Sequence, residues 1–294
     1  MPLTINTNAA AANAGFHLAR NSQSLQQSLN RLSSGRRINR PSDDSGGLAV
    51  SMKLRSSINQ LNGARNNIQN GISFLEVQDG ILEAAGRIVD RMTELKGMSQ
   101  DMLKNEFDNS TYNNEFQDLQ VQLYDITQQT FNGVSLFAQF NSEGGNGVFY
   151  AIPTNSSRTV DNTVSIFVSS NGSGGAKVSL NKSLLLSALT INSNTLDSSI
   201  FTSASNSSTA GSTAVFSFAS SDIGGTMSLD KVSSGVFTKA LENIAGLRAQ
   251  NGGTMSRLTF AADNIARQTT NMEAAYGRIV DVDIAAENTR LAKY

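Results

Sequence analysis

The sequence predicts a mainly α-helical protein with a β-rich insert: a long, coiled-coil-like helical rod built from both chain termini, with a variable module between them. Three observations predict this. Leu54, Leu61, Ile68, Leu75 and Leu82 recur at intervals of seven in a stretch without proline. Leu258, Ile265, Met272 and Ile279 repeat the same spacing near the other end. Residues 141–230 hold only eight charged side chains but twenty-two serines, in short alternating runs. A sevenfold apolar repeat makes a helical seam, whereas alternation makes strands.

Residues 1–41 carry Leu18, Leu25 and Leu32 seven apart with Leu29 between, a narrow stripe flanked by Ser, Gln and Asn. A lone helix of this kind is marginal without tertiary packing, so the segment is expected to lack stable structure in the free monomer and to serve as a terminal assembly helix. Gly35 suits the end of that helix and Pro41 cannot continue it. Ser42, Asp43 or Asp44 can cap the next. Arg36, Arg37 and Arg40 beside Asp43 and Asp44 admit two readings, partner contacts or a solvated charged surface.

The second segment, 42–140, opens with a helix expected to reach about Leu103. Ile58 and Ile72 interleave with its sevenfold leucines, and Arg65 and Asp79 interrupt it, which suits packing against more than one partner helix. After a polar stretch, 104–114, Phe116, Leu119, Leu123 and Ile126 predict a second, antiparallel helix. Phe131-Asn132-Gly133 reads as a turn, since Asn and Gly tolerate left-handed backbone and Phe131 can pack beneath it.

In the third segment, 141–230, Val164, Ile166 and Val168 alternate, as do residues 215–218, and both runs read as strands. Residues 182–189 could instead form a short helix. Gly144-Gly145 and Gly174-Gly175 mark turns, and Ser203–Ser212 reads as loose. Helical spacing returns over 231–281, with Met255, Ala262 and Tyr276 between the sevenfold positions. RIVDVDIAAEN, with Asp281 and Asp283, marks a junction into a last segment, 282–294.

Composition narrows the function. The chain of 294 residues has no Cys, no Trp, one His at position 17 and a charged fraction of 16%, against roughly 25% for ordinary soluble domains. Zinc sites of the HExxH type lack their second imidazole, a histidine-based triad could be built only around His17, and thiolate sites lack their sulfur. Asn171-Gly172-Ser173-Gly174-Gly175 lacks the Gly-Lys-Ser/Thr ending of a phosphate loop. A net charge of −1 argues against a nucleic-acid partner, and no apolar run is long enough for a membrane span. These features exclude the common enzyme classes and imply no cofactor and no metal.

Four separated stretches then carry a family resemblance: LSSGRRINRPSDDSGGLAVSMKLRSSI (32–58), NGISFLEVQDGILEAAGRIVDRMTEL (70–95), FNGVSLF (131–137) and the run from Met255 to Tyr294. In this order they resemble bacterial flagellin. The resemblance implies a structural subunit, not an enzyme, that polymerises with copies of itself into the extracellular filament of the bacterial flagellum. Its implied partners include the type III flagellar export apparatus, a secretion chaperone and a cap protein.

In that reading the rod seam comprises Leu54, Ile58, Leu61, Ile68, Ile72, Leu75, Leu82, Leu258, Ile265, Met272 and Ile279. The terminal assembly helix presents Leu18, Leu25, Leu29 and Leu32, and the junction is formed by Arg36, Arg37, Pro41, Asp43 and Asp44. DRMTELKG (90–97) resembles the segment of stimulatory flagellins that contacts the flagellin-sensing Toll-like receptor of animals, which implies receptor contacts at Arg91, Leu95 and Glu115. From local geometry alone, Arg91 and Leu95 are ordinary helix neighbours and Leu95 could be core.

Flagellins continue past the residues matching LAKY with another apolar helix, so much of the carboxy-terminal partner of residues 1–40 is expected to be missing from this chain. Rival readings are a hook–filament junction protein and a type III secreted coiled-coil binding module.

Overall fold

The computed structural model describes residues 8–138, 163–169, 174–192 and 215–294. Helix α1 spans Ala9–Ser34, α2 Ser45–Ser99, α3 Glu106–Thr127, α4 Leu185–Ala188, α5 Ser234–Val280 and α6 Ile284–Lys293. The strands are β1 Thr130–Phe131, β2 Val134–Ser135, β3 Thr163–Phe167, β4 Lys177–Asn181, β5 Thr190–Asn192 and β6 Val215–Ser217. They form three separate antiparallel pairs, β1–β2, β3–β4 and β5–β6.

The chain divides into two compact units. One comprises Met1–Arg65, Val168–Gly175 and Asp263–Tyr294; the other comprises Asn66–Phe167 and Ala176–Ala262. The strands β3 to β6 therefore fall with α3 and with the greater parts of α2 and α5. Gly144-Gly145 and Ser203–Ser212 lie outside the described residues.

In the first unit, α1 is the helix that the leucine spacing places there. Asn8 caps it by accepting from the Ala11 N–H at 3.2 Å, and Gly35 ends it in a left-handed conformation (φ 67°) that costs glycine little. Only Ser28 of the helix is buried. The helix is held through its contact with α6, a partner 259 residues away along the chain that no local pattern announces.

Helix α2 starts at the proline turn. The Asp43 N–H donates to the Arg40 carbonyl at 3.0 Å, placing Pro41 second in the turn, where its fixed φ fits. Of the three candidate caps, Asp44 takes the role by accepting from the Gly47 N–H at 2.8 Å. Leu61 and Ile265 are buried here, while Leu54, Ile58, Met272 and Ile279 are half-buried.

In the second unit, Ile68, Leu75, Leu82 and Leu258 are buried and Ile72 is half-buried. Asp79, which interrupts the apolar repeat of α2, pairs with Arg248 of α5 through two bonds of 3.0 and 2.9 Å. The Asn251 amide of α5 donates to the Leu75 carbonyl at 3.3 Å. A Cβ on Gly71 would collide with the tip of the Ile166 side chain of β3, so the missing side chain leaves room for Ile166 to pack against α2.

Helix α3 begins earlier than its apolar spacing suggested. Asn105 and Asp108 form a reciprocal capping box that draws the polar residues after Glu106 into the first turns. Phe116 of α3 meets Phe237 of α5 edge-on at 6.0 Å, and Phe218 stacks on Phe237 at 5.2 Å. The Asn132-Gly133 turn has both residues at positive φ, 49° and 78°, and Phe131 packs edge-on against Phe74 at 6.0 Å.

Three polar side chains secure the approach to α5. Gln120 both accepts from the Met227 N–H and donates to its carbonyl, at 3.0 and 2.9 Å. The Leu229 N–H donates to Asn113 at 2.8 Å, and Lys96 Nζ donates to the Leu229 carbonyl at 2.9 Å. Burial pulls the Lys96 pKa down, against the opposing pull of Asp230.

Leu61 is fully buried. Leu61→Asp is expected to lower unfolding free energy by at least the ~3 kcal/mol that truncation to Ala costs. The exposed neighbour change Asn62→Asp should cost no more than about 0.5 kcal/mol. Chemical denaturation of both variants checks this, and equal midpoints would remove Leu61 from the seam.

Candidate functional site

Two places collect the residues singled out from the sequence. The first is the junction between the chain ends. Arg37 N–H donates to the Val280 carbonyl at 2.6 Å and Val282 N–H to the Gly35 carbonyl at 3.1 Å, an antiparallel bridge centred on Arg36 and Asp281. The Arg37 guanidinium donates to the Ile279 carbonyl at 2.8 Å. A cation on the last free carbonyls of α5 suits the negative end of that helix. Arg36 and Arg37 stay exposed, and beyond the two readings given for these arginines they make intramolecular contacts that tie the two chain ends together.

Asp43 folds back over the same loop. It accepts from the N–H groups of Asn39 and Arg40 at 3.1 and 3.0 Å and from the Gln27 amide at 2.9 Å. Desolvation alone would raise its pKa, but the Arg40 and Asn39 N–H groups, the Gln27 amide and the Arg31 charge together bring it below the ordinary 3.8. Beneath this loop sits Ile38, buried and missed in the sequence because it belongs to no periodic stretch. Asp283 begins α6 by accepting from the Ala285 and Ala286 N–H groups at 3.0 and 3.1 Å, which fits its placement at a junction.

Helix α6 docks on α1 through polar groups. Ser28 Oγ donates to Glu287 Oε1 at 2.8 Å, Arg31 lies 4.0 Å from the same oxygen, and Arg290 donates to Oε2 at 3.3 Å. Ser28, Arg31 and half-buried Ser24 lie roughly 110° around the helix from Leu18, Leu25 and Leu29. The leucine stripe therefore remains uncovered: Leu18 is 73% exposed, Leu25 37% and Leu29 47%, with Leu32 half-buried. Ile284 of α6 is also exposed.

The second place is the outer face of the α2–α3 hairpin. Arg91 Nε donates to Glu115 at 2.8 Å and Arg91 Nη1 to Glu94 at 2.9 Å. The hydrogen bond to Glu115, then that to Glu94, raises the Arg91 pKa. Arg91 and Glu115 thus meet across the hairpin. Leu95 does not join them, because it is fully buried in the core. The expectation that Leu95 makes a receptor contact is corrected on this ground: one helical turn from Arg91, its side chain points inward and offers no surface to a partner.

Two measurements follow from this geometry. Leu95→Ala should cost about 3 kcal/mol of stability, as a core truncation. Arg91→Ala, at an exposed ion pair, should stay within about 1 kcal/mol. Thermal unfolding of the pair checks the division, and a reversed order would contradict it. Because the folded Asp43 pKa is lowered, its ionised form contributes stability that is present above its unfolded pKa and lost as pH falls through the folded value. Urea unfolding between pH 6 and 2 should show a shallower acid-side decline in Asp43→Asn than in the parent; superimposable declines would dismiss the contribution.

Comparison with known proteins places these features in a family. Residues 5–142 match the family model for the bacterial flagellin N-terminal helical region, and residues 235–294 match that for the C-terminal helical region. Flagellin of Bacillus subtilis is 30% identical over 99% of this chain and 91% of its own length. The flagellar filament 30.7 kDa core protein of Treponema maltophilum is 31% identical over 97% of this chain and 88% of its own. The crystal structure of Bacillus cereus flagellin aligns with a TM-score of 0.43 and 18% identity, over 72% of this chain and 94% of that one. The full-length sequence match and the two helical-region matches show that the chain belongs to the bacterial flagellin family, structural proteins of the extracellular flagellar filament rather than enzymes.

Proposed function

We propose that this flagellin polymerises through the uncovered leucine stripe of α1, and that the filament it builds serves swimming motility. The stripe carries the reading. A helix with several large exposed apolar side chains, capped at both ends and docked by a polar flank, is suited to bury that face in a neighbouring subunit. Burial returns about 25 cal/mol per Å² of apolar surface. A contact between a stripe on one copy and a different surface on the next does not close on itself and grows as an open helix. Export by the type III flagellar apparatus, with a secretion chaperone and a cap protein, belongs to the same reading. The relatives named above are flagellins and a filament core protein, which favours a filament subunit over a hook–filament junction protein or a secreted coiled-coil module.

A second reading concerns the Toll-like receptor of animals. Exposed Arg91, fixed in orientation by Glu115 and Glu94, presents a preformed guanidinium to a protein partner, and Arg is a frequent interface anchor. In this reading Arg91 and Glu115 make the contact and Leu95 supports the helix beneath them. A receptor must offer acceptors that replace or extend the two carboxylates already bound.

Electron microscopy of concentrated protein tests the first reading. Leu18→Asn with Leu25→Asn should abolish filaments while shifting stability by no more than about 0.5 kcal/mol, as exposed substitutions do; filaments of normal length would refute the stripe's role. For the second reading, receptor binding to folded monomer should fall with Arg91→Ala and with Glu115→Ala. Undiminished affinity in both would remove this face from the contact.

A further inference from the structure

We propose that Glu287 sets the register in which α6 pairs with α1, and so fixes which face of α1 is left open to a second copy of the chain. The lock is intramolecular, and it rests on the assembly reading only for the use made of the open face. Glu287 and Ser28 are each 3% exposed, and their side chains are joined at 2.8 Å. Arg31 and Arg290 flank the carboxylate from the two helices, at 4.0 and 3.3 Å. Arg31 Nε is buried with no hydrogen-bond partner among the described residues, so the guanidinium is drawn in beside Glu287 at the expense of one of its own donors.

This arrangement is a poor way to gain stability and a good way to gain specificity. A buried carboxylate pays desolvation that an apolar residue would not, whereas displacing it from its partner leaves an unpaired charge. Helix α6 has only ten residues, three of them alanine, and its larger apolar side chains are Ile284 and Leu291. Slipping by one turn would bring one of these opposite Ser28 with little apolar penalty. The bridge at 35–37 and 280–282 aligns the start of α6, and beyond it Glu287 is the group that separates the observed pairing along the helix from a slip of one turn. In that register the contacts to Glu287 occupy Ser28 and Arg31, with half-buried Ser24 on the same side of α1, and the leucines remain on another face.

The absence of Cys allows a direct test by oxidative cross-linking of dilute full-length monomer. Ser24→Cys with Leu291→Cys probes the observed register, one turn beyond Ser28 and Glu287 in their antiparallel pairing. Ser24→Cys with Asn288→Cys probes a slipped one. The parent should favour the first pair by about tenfold, the discrimination expected of one charge-assisted hydrogen bond. Glu287→Gln should keep part of that preference, because its amide oxygen still accepts from Ser28 while the charge on that hydrogen bond is lost. Glu287→Leu should keep the total cross-linking but bring the two pairs to similar yields.

A Glu287→Leu chain that retained the parent preference would overturn the proposal. Should Glu287→Leu cross-link in neither pair, Ser28→Ala decides: a reduced preference supports the lock, and an unchanged one overturns it. Leucine-stripe variants that lose filaments but keep the parent cross-link pattern would separate the lock from the assembly reading, and loss of preference in Glu287→Leu with filaments intact would separate them the other way.

Discussion

The antiparallel meeting of residues 35–37 with 280–282 is the constraint to which the helical architecture answers. It joins Arg37 to the carbonyl of Ile279, 242 residues away. Closing a loop of that length costs about 5 kcal/mol in chain entropy before any constant term. Three hydrogen bonds at the junction cannot offset this alone, since each contributes about 1 kcal/mol net. The remainder comes from burial along α2 and α5, at Leu61, Ile68, Leu75, Leu82, Leu258 and Ile265. The sevenfold repeats provide the energy, and the junction converts it into a defined alignment of the chain ends.

Polar groups take a consistent part in that alignment. An apolar seam tolerates sliding, because one leucine replaces another at little cost. Asp79 with Arg248, Asn251 with the Leu75 carbonyl, and Arg37 with the Ile279 carbonyl are instead directional contacts between particular atoms. Gln120, Asn113 and Lys96 do the same for the segment leading into α5, bonding backbone groups of Met227 and Leu229. Positions that interrupt the repeat are thus where its register is written.

A subunit of a polymer must fold alone and still keep an adhesive face. Here the two demands fall on different sides of one helix. The polar flank of α1 meets α6 within the chain, and its leucine stripe stays open. The balance is visible in the burial of α1, where Ser28 is the buried residue and the leucines are not. That inversion of the usual pattern would be a liability in a protein that worked alone, since exposed apolar patches invite association.

The sequence alone determined the helices, because periodicity, capping and turn chemistry are local. The repeats of α2 and α5, the glycine end of α1 at Gly35, the proline turn and the left-handed Asn132-Gly133 pair are each legible within a few residues. So were the strand at 163–167 and the family itself. Local reading fell short at the early start of α3, which depends on a capping box within polar text, and at the partner of α1, since its own pattern shows too little apolar surface to hold it. Tertiary structure alone decided the partners. It showed Leu95 facing the core beside an exposed Arg91, gave Arg36 and Arg37 to the far end of the chain, and brought Ser28 to Glu287. Spacing places a residue on a face of its own helix, but what covers that face depends on chain that lies hundreds of residues away.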